Sequence, residues 1–190
     1  MNKDRVIITG SNGLIGSDLV NNMKANYKIN KLSLSLGHDL TEEDFVKDYF
    51  SHNDAEYLVN CFGYNDHVEK TKNKEGILDV TLESINKYLM VNVLALFSVC
   101  REFAKNPTSK GIVNISSIYG QVSPKKILYG KSEKHIGYSI SKAAVNQMTR
   151  HLATHLAPKV RVNCISLGGI EHNQGTAFIE KYSQEVPMRR

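Results

Sequence analysis

The chain has 190 residues, of which 41% are hydrophobic and 23% charged, ordinary values for a globular protein with one core. No apolar run reaches the roughly 18 residues of a membrane-spanning helix, so a membrane protein is not expected. The net charge of +5 is spread along the chain without an aromatic–basic motif, and nucleic-acid binding is therefore not indicated. We expect a single domain over residues 1–190.

The N-terminus and the cysteines bear on the cellular compartment. Met1–Arg5 is polar and leads directly into an apolar strand, without the apolar segment and cleavage site of a signal peptide. Cys61, Cys100 and Cys164 are far apart, and neither they nor the seven histidines show metal-ligand spacing. We therefore expect buried free thiols, no metal and a cytoplasmic location.

Short apolar runs alternate with helical patterns along the chain. Strands are predicted over Arg5–Thr9, Ile29–Leu36, Tyr57–Phe62, Gly111–Ser116 and Val160–Ser166. Helices are predicted over Leu14–Lys24, from a Thr41 cap onward, over Leu82–Lys105 and over Tyr138–Leu156. This alternation predicts a doubly wound, Rossmann-type α/β fold, whose parallel sheet is covered on both faces.

A glycine-rich turn separates the first strand from the first helix. It consists of Gly10, Ser11, Asn12, Gly13, Leu14, Ile15 and Gly16. At this place glycines let backbone N–H groups approach a pyrophosphate, and the dipole of the following helix favours an anion. A plain strand-to-helix turn is the alternative, but the position directly after an apolar N-terminal strand favours nucleotide binding.

The end of the second strand bears on the choice between NAD and NADP. An acid there would bind the ribose 2′-hydroxyl, but none stands at the usual place. Ser33, Ser35 or His38 could accept a 2′-phosphate, which favours NADP, whereas Asp39 could serve the adenine or the ribose. The residues leave both cofactors open.

Tyr138 and Lys142 are the most informative pair in the sequence. On a helix, positions four apart share one face, so the ammonium would lower the pKa of the phenol and suit it for proton exchange. Ser116 and Ser117 end a predicted strand, where a hydroxyl could polarise a carbonyl oxygen. The alternatives are an exposed helix pair and serines that only cap the strand end.

Several motifs follow one another in the order of a known family. They are Thr9-Gly10 with Gly16, Asn60-Cys61-Phe62-Gly63, Asn92, Asn114-Ile115-Ser116-Ser117, Tyr138 with Lys142, and the run Arg161–Ile170. In this order they resemble the short-chain dehydrogenase/reductase family over nearly the whole chain. The resemblance implies an enzyme that transfers hydride between NAD or NADP and a carbon bearing oxygen.

The resemblance also implies a role for each matching residue. Ser117 matches the catalytic serine, Tyr138 the general acid and base, Lys142 the lysine that binds the nicotinamide ribose, and Asn92 the asparagine of the proton relay. The other residues implied to contact the cofactor are Asp39 and Leu40 at the adenine, Asn60, Cys61 and Gly63 in the following turn, and Gly168, Gly169 and Ile170 beside the carboxamide.

Some features indicate a subgroup. Ser123-Pro124, Tyr129 and the long insert between Ser117 and Tyr138 resemble oxidoreductases of bacterial flagellin-modification and sialic-acid-like sugar clusters. That implies a sugar or nucleotide-sugar related substrate. The spacing of the three glycines in the turn instead resembles the family's nucleotide-sugar epimerases and dehydratases, which remain an alternative together with a non-catalytic dinucleotide-binding protein.

Other features depart from the family pattern. Leu167 stands where relatives have proline, and the stretch between the second strand and Asp39 is short. Because relatives continue beyond Arg190, we expect a sheet that is shortened at its C-terminal side. Relatives pair through two long helices, so a homodimer or homotetramer is expected.

Overall fold

The computed structural model describes residues 3–66, 76–129 and 133–189 of the chain. Its sheet has five parallel strands, β1 Arg5–Thr9, β2 Lys28–Leu32, β3 Tyr57–Asn60, β4 Gly111–Ser117 and β5 Arg161–Leu167. Their order is β2-β1-β3-β4-β5, so the chain crosses over β1 between its second and third strands. All four pairings are parallel, which brings the carboxyl ends of the strands to one edge.

Helices connect the strands. They are α1 Leu14–Met23, α2 Glu43–His52, α3 Leu82–Leu89, α4 Leu96–Lys105, α5 Lys126–Tyr129, α6 Ile136–Leu156 and α7 Thr176–Glu185. In the part of the chain that the structure describes, no helix combines the length and the apolar character needed to cross a bilayer.

Alternate strand residues face opposite layers. Ile7, Leu58 and Ile112 belong to a core that also includes apolar side chains of α2, α4 and α6. Val59 and Val113 point to the other face, where they line a cavity of about 200 Å³ with side chains from the C-terminal end of α1 and beyond. The parallel strand order with its connecting helices confirms the predicted doubly wound fold, although Asn163 and Ile165 of β5 are exposed on this second face.

Two sequence predictions on the segment between β2 and α2 are wrong. The second strand ends at Leu32 rather than Leu36, because Leu34–Leu36 forms a 3₁₀ turn that Gly37 ends in the left-handed region at φ 82°. Thr41 does not cap α2, since its N–H and hydroxyl both donate to Asp39 Oδ1. A 3₁₀ turn with backbone hydrogen bonds thus replaces the predicted strand end, and side-chain hydrogen bonds to Asp39 replace the predicted helix cap.

The long helix predicted over Leu82–Lys105 is continuous but irregular. Met90–Ala95 forms a π-helical segment between α3 and α4, and it contains the buried Asn92. Such π segments occur often at functional sites because they redirect side chains within a helix. The apolar periodicity indicated the helix but gave no sign of this interruption.

Gly16 allows α1 to start directly against the glycine turn. A Cβ at this position would lie 2.2 Å from the backbone oxygen of Gly10. Alanine is favoured over glycine by about 1 kcal/mol within a helix, but a clash with backbone outweighs that gain.

We therefore expect Gly16→Ala to lower the free energy of unfolding by about 2 kcal/mol in urea titrations. The matched control Asp18→Ala, which is exposed on the same helix, should change it by less than about 0.5 kcal/mol. A Gly16→Ala variant as stable as the parent would contradict the packing described.

Candidate active site

A buried line of polar side chains joins the strand ends to α6. Thr9 Oγ1 donates to Asn60 Oδ1 at 3.0 Å, and Asn60 Nδ2 donates to Asn114 Oδ1 at 2.9 Å. Asn114 Nδ2 then donates to Thr149 Oγ1 at 3.0 Å, and that hydroxyl donates to the carbonyl of Val145. Because unpaired buried polar groups are costly, these bonds fix how β1, β3 and β4 meet the helix that bears Tyr138.

The glycine turn lies at the same edge of the sheet. Gly10 has φ 62°, and a Cβ there would come within 2.6 Å of the backbone N of Phe62, so only glycine fits. Helix α1 begins after Gly13 with no side-chain cap and no acidic residue in its first turn. Its first N–H groups are thus available to an anion, and in the described structure the buried Ser11 hydroxyl beside them has no hydrogen-bond partner.

Residues after β2 border this turn. Asn12 Nδ2 donates to Ser35 Oγ at 2.8 Å, and the Ser35 hydroxyl also lies 3.1 Å from that of Ser33. His38 accepts a hydrogen bond from Ser33 N through Nδ1 and stacks on a neighbouring ring. Asp39 caps the following turn, so exposed Ser35 is the side chain of this segment that reaches toward the glycine turn.

Leu40 is the remaining residue that the family resemblance places at the adenine. Its side chain is 6% exposed and belongs to the hydrophobic core, so it contributes packing at this edge. Only the backbone of Leu40 is left to contact a ligand. The sequence alone did not show whether the Leu40 side chain packs in the core or contacts the adenine.

Ser117, Tyr138 and Lys142 come together where β4 meets α6. The Ser117 hydroxyl accepts the Tyr119 N–H at 3.2 Å, and its interaction with the Tyr138 phenol lowers the pKa of that phenol. Lys142 Nζ donates to the carbonyl of Ile115 at 3.0 Å and lies 5.9 Å from the centre of the Tyr138 ring. A strand-end hydroxyl, a phenol and an ammonium therefore share one site, as the sequence predicts.

The electrostatics of this site differ from the sequence prediction. Burial raises the pKa of Tyr138, and the hydrogen bond with Ser117 offsets only part of that rise. Burial also lowers the pKa of Lys142 to about 8. The lowered tyrosine pKa that we predicted from the spacing is therefore wrong for this structure, because burial raises the pKa of Tyr138 and the charge of Lys142 is not among the causes of that shift.

Asn92 secures the turn that follows β3. Its Nδ2 donates to Tyr64 O at 3.0 Å and to Ser141 Oγ at 2.9 Å, while its Oδ1 accepts the Tyr64 N–H at 2.6 Å. A Cβ at Gly63 would lie 3.1 Å from Asn92 Oδ1 and 3.6 Å from Lys142 Nζ. The π segment thus joins this turn to α6 beside Lys142.

The three cysteines are free, and two of them border this region. Cys100 is buried, and burial raises its pKa to about 12. Cys61 and Cys164 are only half-buried, so the prediction of buried thiols holds for Cys100 alone. Cys61 follows β3 next to the glycine turn, and burial raises its pKa to about 11.

The segment after β5 packs against α7. Gly169 N donates to the hydroxyl of Tyr182 at 2.5 Å, and a Cβ on Gly168 or Gly169 would crowd that ring. Ile170, which follows them, accepts a hydrogen bond from the side chain of Gln174. Helix α7 thereby holds this segment beside the end of β5.

A group of aromatic side chains lies near the site, and of its members the sequence motifs singled out only Tyr129. Tyr129 donates to the hydroxyl of Tyr119 at 2.9 Å, and its ring lies 5.7 Å from that of Phe178. Phe178 in turn stacks on Tyr182. Tyr129 was named only for the subgroup resemblance, and nothing in the sequence indicated Tyr119 or α7 as its partners.

Known proteins resemble the chain in both sequence and fold. The family model described as enoyl-(acyl carrier protein) reductase matches residues 5–190. The post-translational flagellin modification protein A of Campylobacter coli is 34% identical over 111 residues, which cover 57% of this chain and 43% of that protein. The probable short-chain type dehydrogenase/reductase VdlC of Helicobacter pylori is 30% identical over 190 residues, or 90% of this chain and 67% of that protein.

A solved structure adds to this comparison. A short chain dehydrogenase from Leptospira borgpetersenii with bound NAD+ is 25% identical and superimposes with a TM-score of 0.84, covering 100% of this chain and 80% of that chain. The chain belongs to the short-chain dehydrogenase/reductase family of oxidoreductases. The resemblance inferred from the motifs is confirmed, although the chain spans less than half of the Campylobacter relative.

The buried ammonium of Lys142 gives the site a measurable pH dependence. An unfolded lysine has a pKa near 10.4, so above pH 8 the folded chain binds fewer protons than the unfolded one. The cost of burying this charge is therefore fully present below about pH 8 and is relieved as the pH rises toward 10.

We expect the free energy of unfolding of Lys142→Met minus that of the parent, measured in urea, to be about 2 kcal/mol larger at pH 7 than at pH 10. Lys110→Met, at an exposed lysine paired with Asp4, serves as the control for removing a lysine side chain at the surface. A Lys142→Met difference that is constant from pH 7 to 10 would contradict the buried charge.

Proposed function

We propose that the chain is an NAD(P)-dependent oxidoreductase that interconverts an alcohol and a carbonyl by hydride transfer. The observation that supports this most is the meeting of Ser117, Tyr138 and Lys142 at the carboxyl end of β4, on the same sheet edge as the glycine turn. Ligands of doubly wound folds bind across this edge.

The residues present fit a dinucleotide. The close approach at Gly10, the uncapped start of α1 and the unpartnered Ser11 hydroxyl form a cradle for a pyrophosphate. The backbone from Asn12 to Gly16 would hold the phosphates, while Lys142 and Tyr138 would hold the nicotinamide ribose. The turn after β3 and the run Gly168–Ile170 would complete the contacts. When bound, the nicotinamide supplies or accepts the hydride.

The chain's own residues then handle the proton. Ser117 accepts the Tyr119 N–H through oxygen, so its own hydroxyl hydrogen, which it shares with the Tyr138 phenol, would orient and polarise a carbonyl oxygen bound beside that phenol. The raised pKa of Tyr138 keeps its phenol protonated at neutral pH, so it can donate that proton to the same oxygen. Lys142 stabilises the phenolate left behind, and Asn92 keeps the adjoining turn in place. In the reverse direction the phenolate accepts the hydroxyl proton.

The finer proposals concern substrate and assembly. A sugar or nucleotide-sugar related substrate is supported by the flagellin-modification relative, and by aromatic rings of the kind that pack on sugar faces. A homodimer or homotetramer is supported by Leu94, Phe97 and Ile140, which are 53%, 41% and 42% exposed on the two long helices. The three free cysteines support a cytoplasmic location.

A nucleotide-sugar epimerase or dehydratase is the second candidate. The spacing of Gly10, Gly13 and Gly16 favours it, and tightly retained NAD after purification would distinguish it from a dehydrogenase that exchanges its cofactor. A non-catalytic dinucleotide-binding protein would bind cofactor without oxidising or reducing any carbonyl compound.

The exposed Ser35 beside Asn12 provides a test of cofactor choice. A carboxylate at this place would repel a 2′-phosphate and accept a 2′-hydroxyl. We expect Ser35→Asp to weaken NADP+ binding at least tenfold relative to NAD+ in calorimetric titrations, whereas Ser51→Asp on α2 should leave the ratio unchanged. An equal loss of affinity for NAD+ and NADP+ would mean that the adenosine ribose does not bind beside Ser35.

Removal of the phenol hydroxyl tests the proposed function itself. We expect Tyr138→Phe to reduce turnover of a confirmed ketone substrate about 10³-fold while changing cofactor affinity only slightly, because positioned proton donors contribute about this much. Steady-state NAD(P)H oxidation and calorimetry measure the two effects. Tyr57→Phe, at the opposite end of the sheet, is the control. Full activity in Tyr138→Phe would refute the assignment.

A further inference from the structure

A second lysine lies against the proposed proton donor. Lys134, four residues before Tyr138, has its Nζ 4.3 Å from the centre of the Tyr138 ring, closer than the 5.9 Å of Lys142. Its ammonium also donates a hydrogen bond to Asn65 Oδ1 in the segment after β3. One cation thus bridges two segments beside the reacting phenol, and the mechanism above assigns it no task.

The described residues around Lys134 neutralise its charge only in part. The amide of Asn65 and the face of Tyr138 are both neutral, and within residues 3–66, 76–129 and 133–189 no ion pair of Lys134 is found. Burial lowers its pKa to about 8, and the charge of Asp66 offsets only part of that shift. A desolvated ammonium held by neutral groups keeps most of its capacity to bind an anion.

Neighbouring lysines in the same region behave differently. Lys126 lies 3.6 Å from a carboxylate oxygen of Glu133, and Lys125 pairs with Glu185. Both are largely exposed, whereas Lys134 is half-buried. Unlike these surface pairs, Lys134 is a half-buried cation that contacts the ring of Tyr138 and the amide of Asn65.

We propose that Lys134 binds an anionic oxygen group of the substrate, either a carboxylate or a phosphate monoester. The inference rests on the proposed function, which places the reacting carbonyl at the Tyr138 hydroxyl. Since Lys134 contacts the ring that bears this hydroxyl, the anionic group lies only a few bonds from the carbon that exchanges hydride. Lys134 is then a specificity-determining residue, and neutral ketones are poor substrates.

Binding of an anion to Lys134 can be tested without turnover, because a bound anion protects the Lys134 amine from acetylation. The full chain, with and without NAD+ or NADP+, is treated with limiting acetic anhydride, and acetylation of Lys134 is measured by mass spectrometry. The probes are inorganic phosphate and malonate, and sodium chloride at equal ionic strength is the control for screening. Exposed Lys110, which pairs with Asp4, is the reference lysine in the same sample.

We expect at least one of the two probes to slow acetylation of Lys134 fivefold or more, with no effect on Lys110. Protection by phosphate alone indicates a phosphate ester, and protection by malonate alone indicates a carboxylate. If neither probe protects Lys134 beyond sodium chloride, the proposal is wrong.

A matched pair of ketones separates binding from positioning. Acetoacetate and its methyl ester differ only in the charge beside the same carbonyl group. We expect Lys134→Met to lower kcat/KM for acetoacetate at least tenfold and kcat/KM for the ester less than twofold. Lys134→Arg should retain most of the kcat/KM for acetoacetate. Equal losses for both would make Lys134 a positioning residue only. Protection of Lys134 without turnover of either ketone would count against the proposed function and leave the anion site standing.

Discussion

The hydrogen bonds from Thr9 through Asn60 and Asn114 to Thr149 are the constraint on which the site depends. They cross three strands and end on α6, so the sheet edge and the helix cannot shift independently without leaving buried amides unpaired. Each such loss costs roughly 1–3 kcal/mol, a large part of the stability of a small domain. The glycine turn, the strand-end serine and the phenol are consequently held in one arrangement before any ligand binds.

This rigidity explains how the site tolerates costly groups. Lys142 and Lys134 are both desolvated beside Tyr138, and both have their pKa lowered to about 8. Without a rigid fold to hold them, both ammonium groups would remain in water, because water solvates an ammonium better than a carbonyl or an amide does. Groups kept at such cost are concentrated at functional sites, since an incoming ligand with complementary charge regains part of the lost solvation.

Much of this arrangement could be predicted from residue patterns. Apolar runs located all five strands and the long helices, and the spacing of Tyr138 and Lys142 placed them on one helix face near Ser117. The pKa of Tyr138 could not be predicted in this way, because it depends on burial rather than on spacing. The predicted cap at Thr41 failed because its side chain binds Asp39 instead, and the predicted extension of β2 to Leu36 failed because a 3₁₀ turn ends the strand. The contact of Tyr129 with α7 joins distant segments, and no local pattern marks it.

The most direct test of the account is a crystal structure of the chain soaked with NAD+ or NADP+. We expect the pyrophosphate to lie against the backbone from Asn12 to Gly16 and the nicotinamide ribose to lie within hydrogen-bond distance of Tyr138 and Lys142. The Thr9–Thr149 line of hydrogen bonds should be unchanged on binding. A dinucleotide bound away from this edge, or one that enters only after those bonds break, would contradict it.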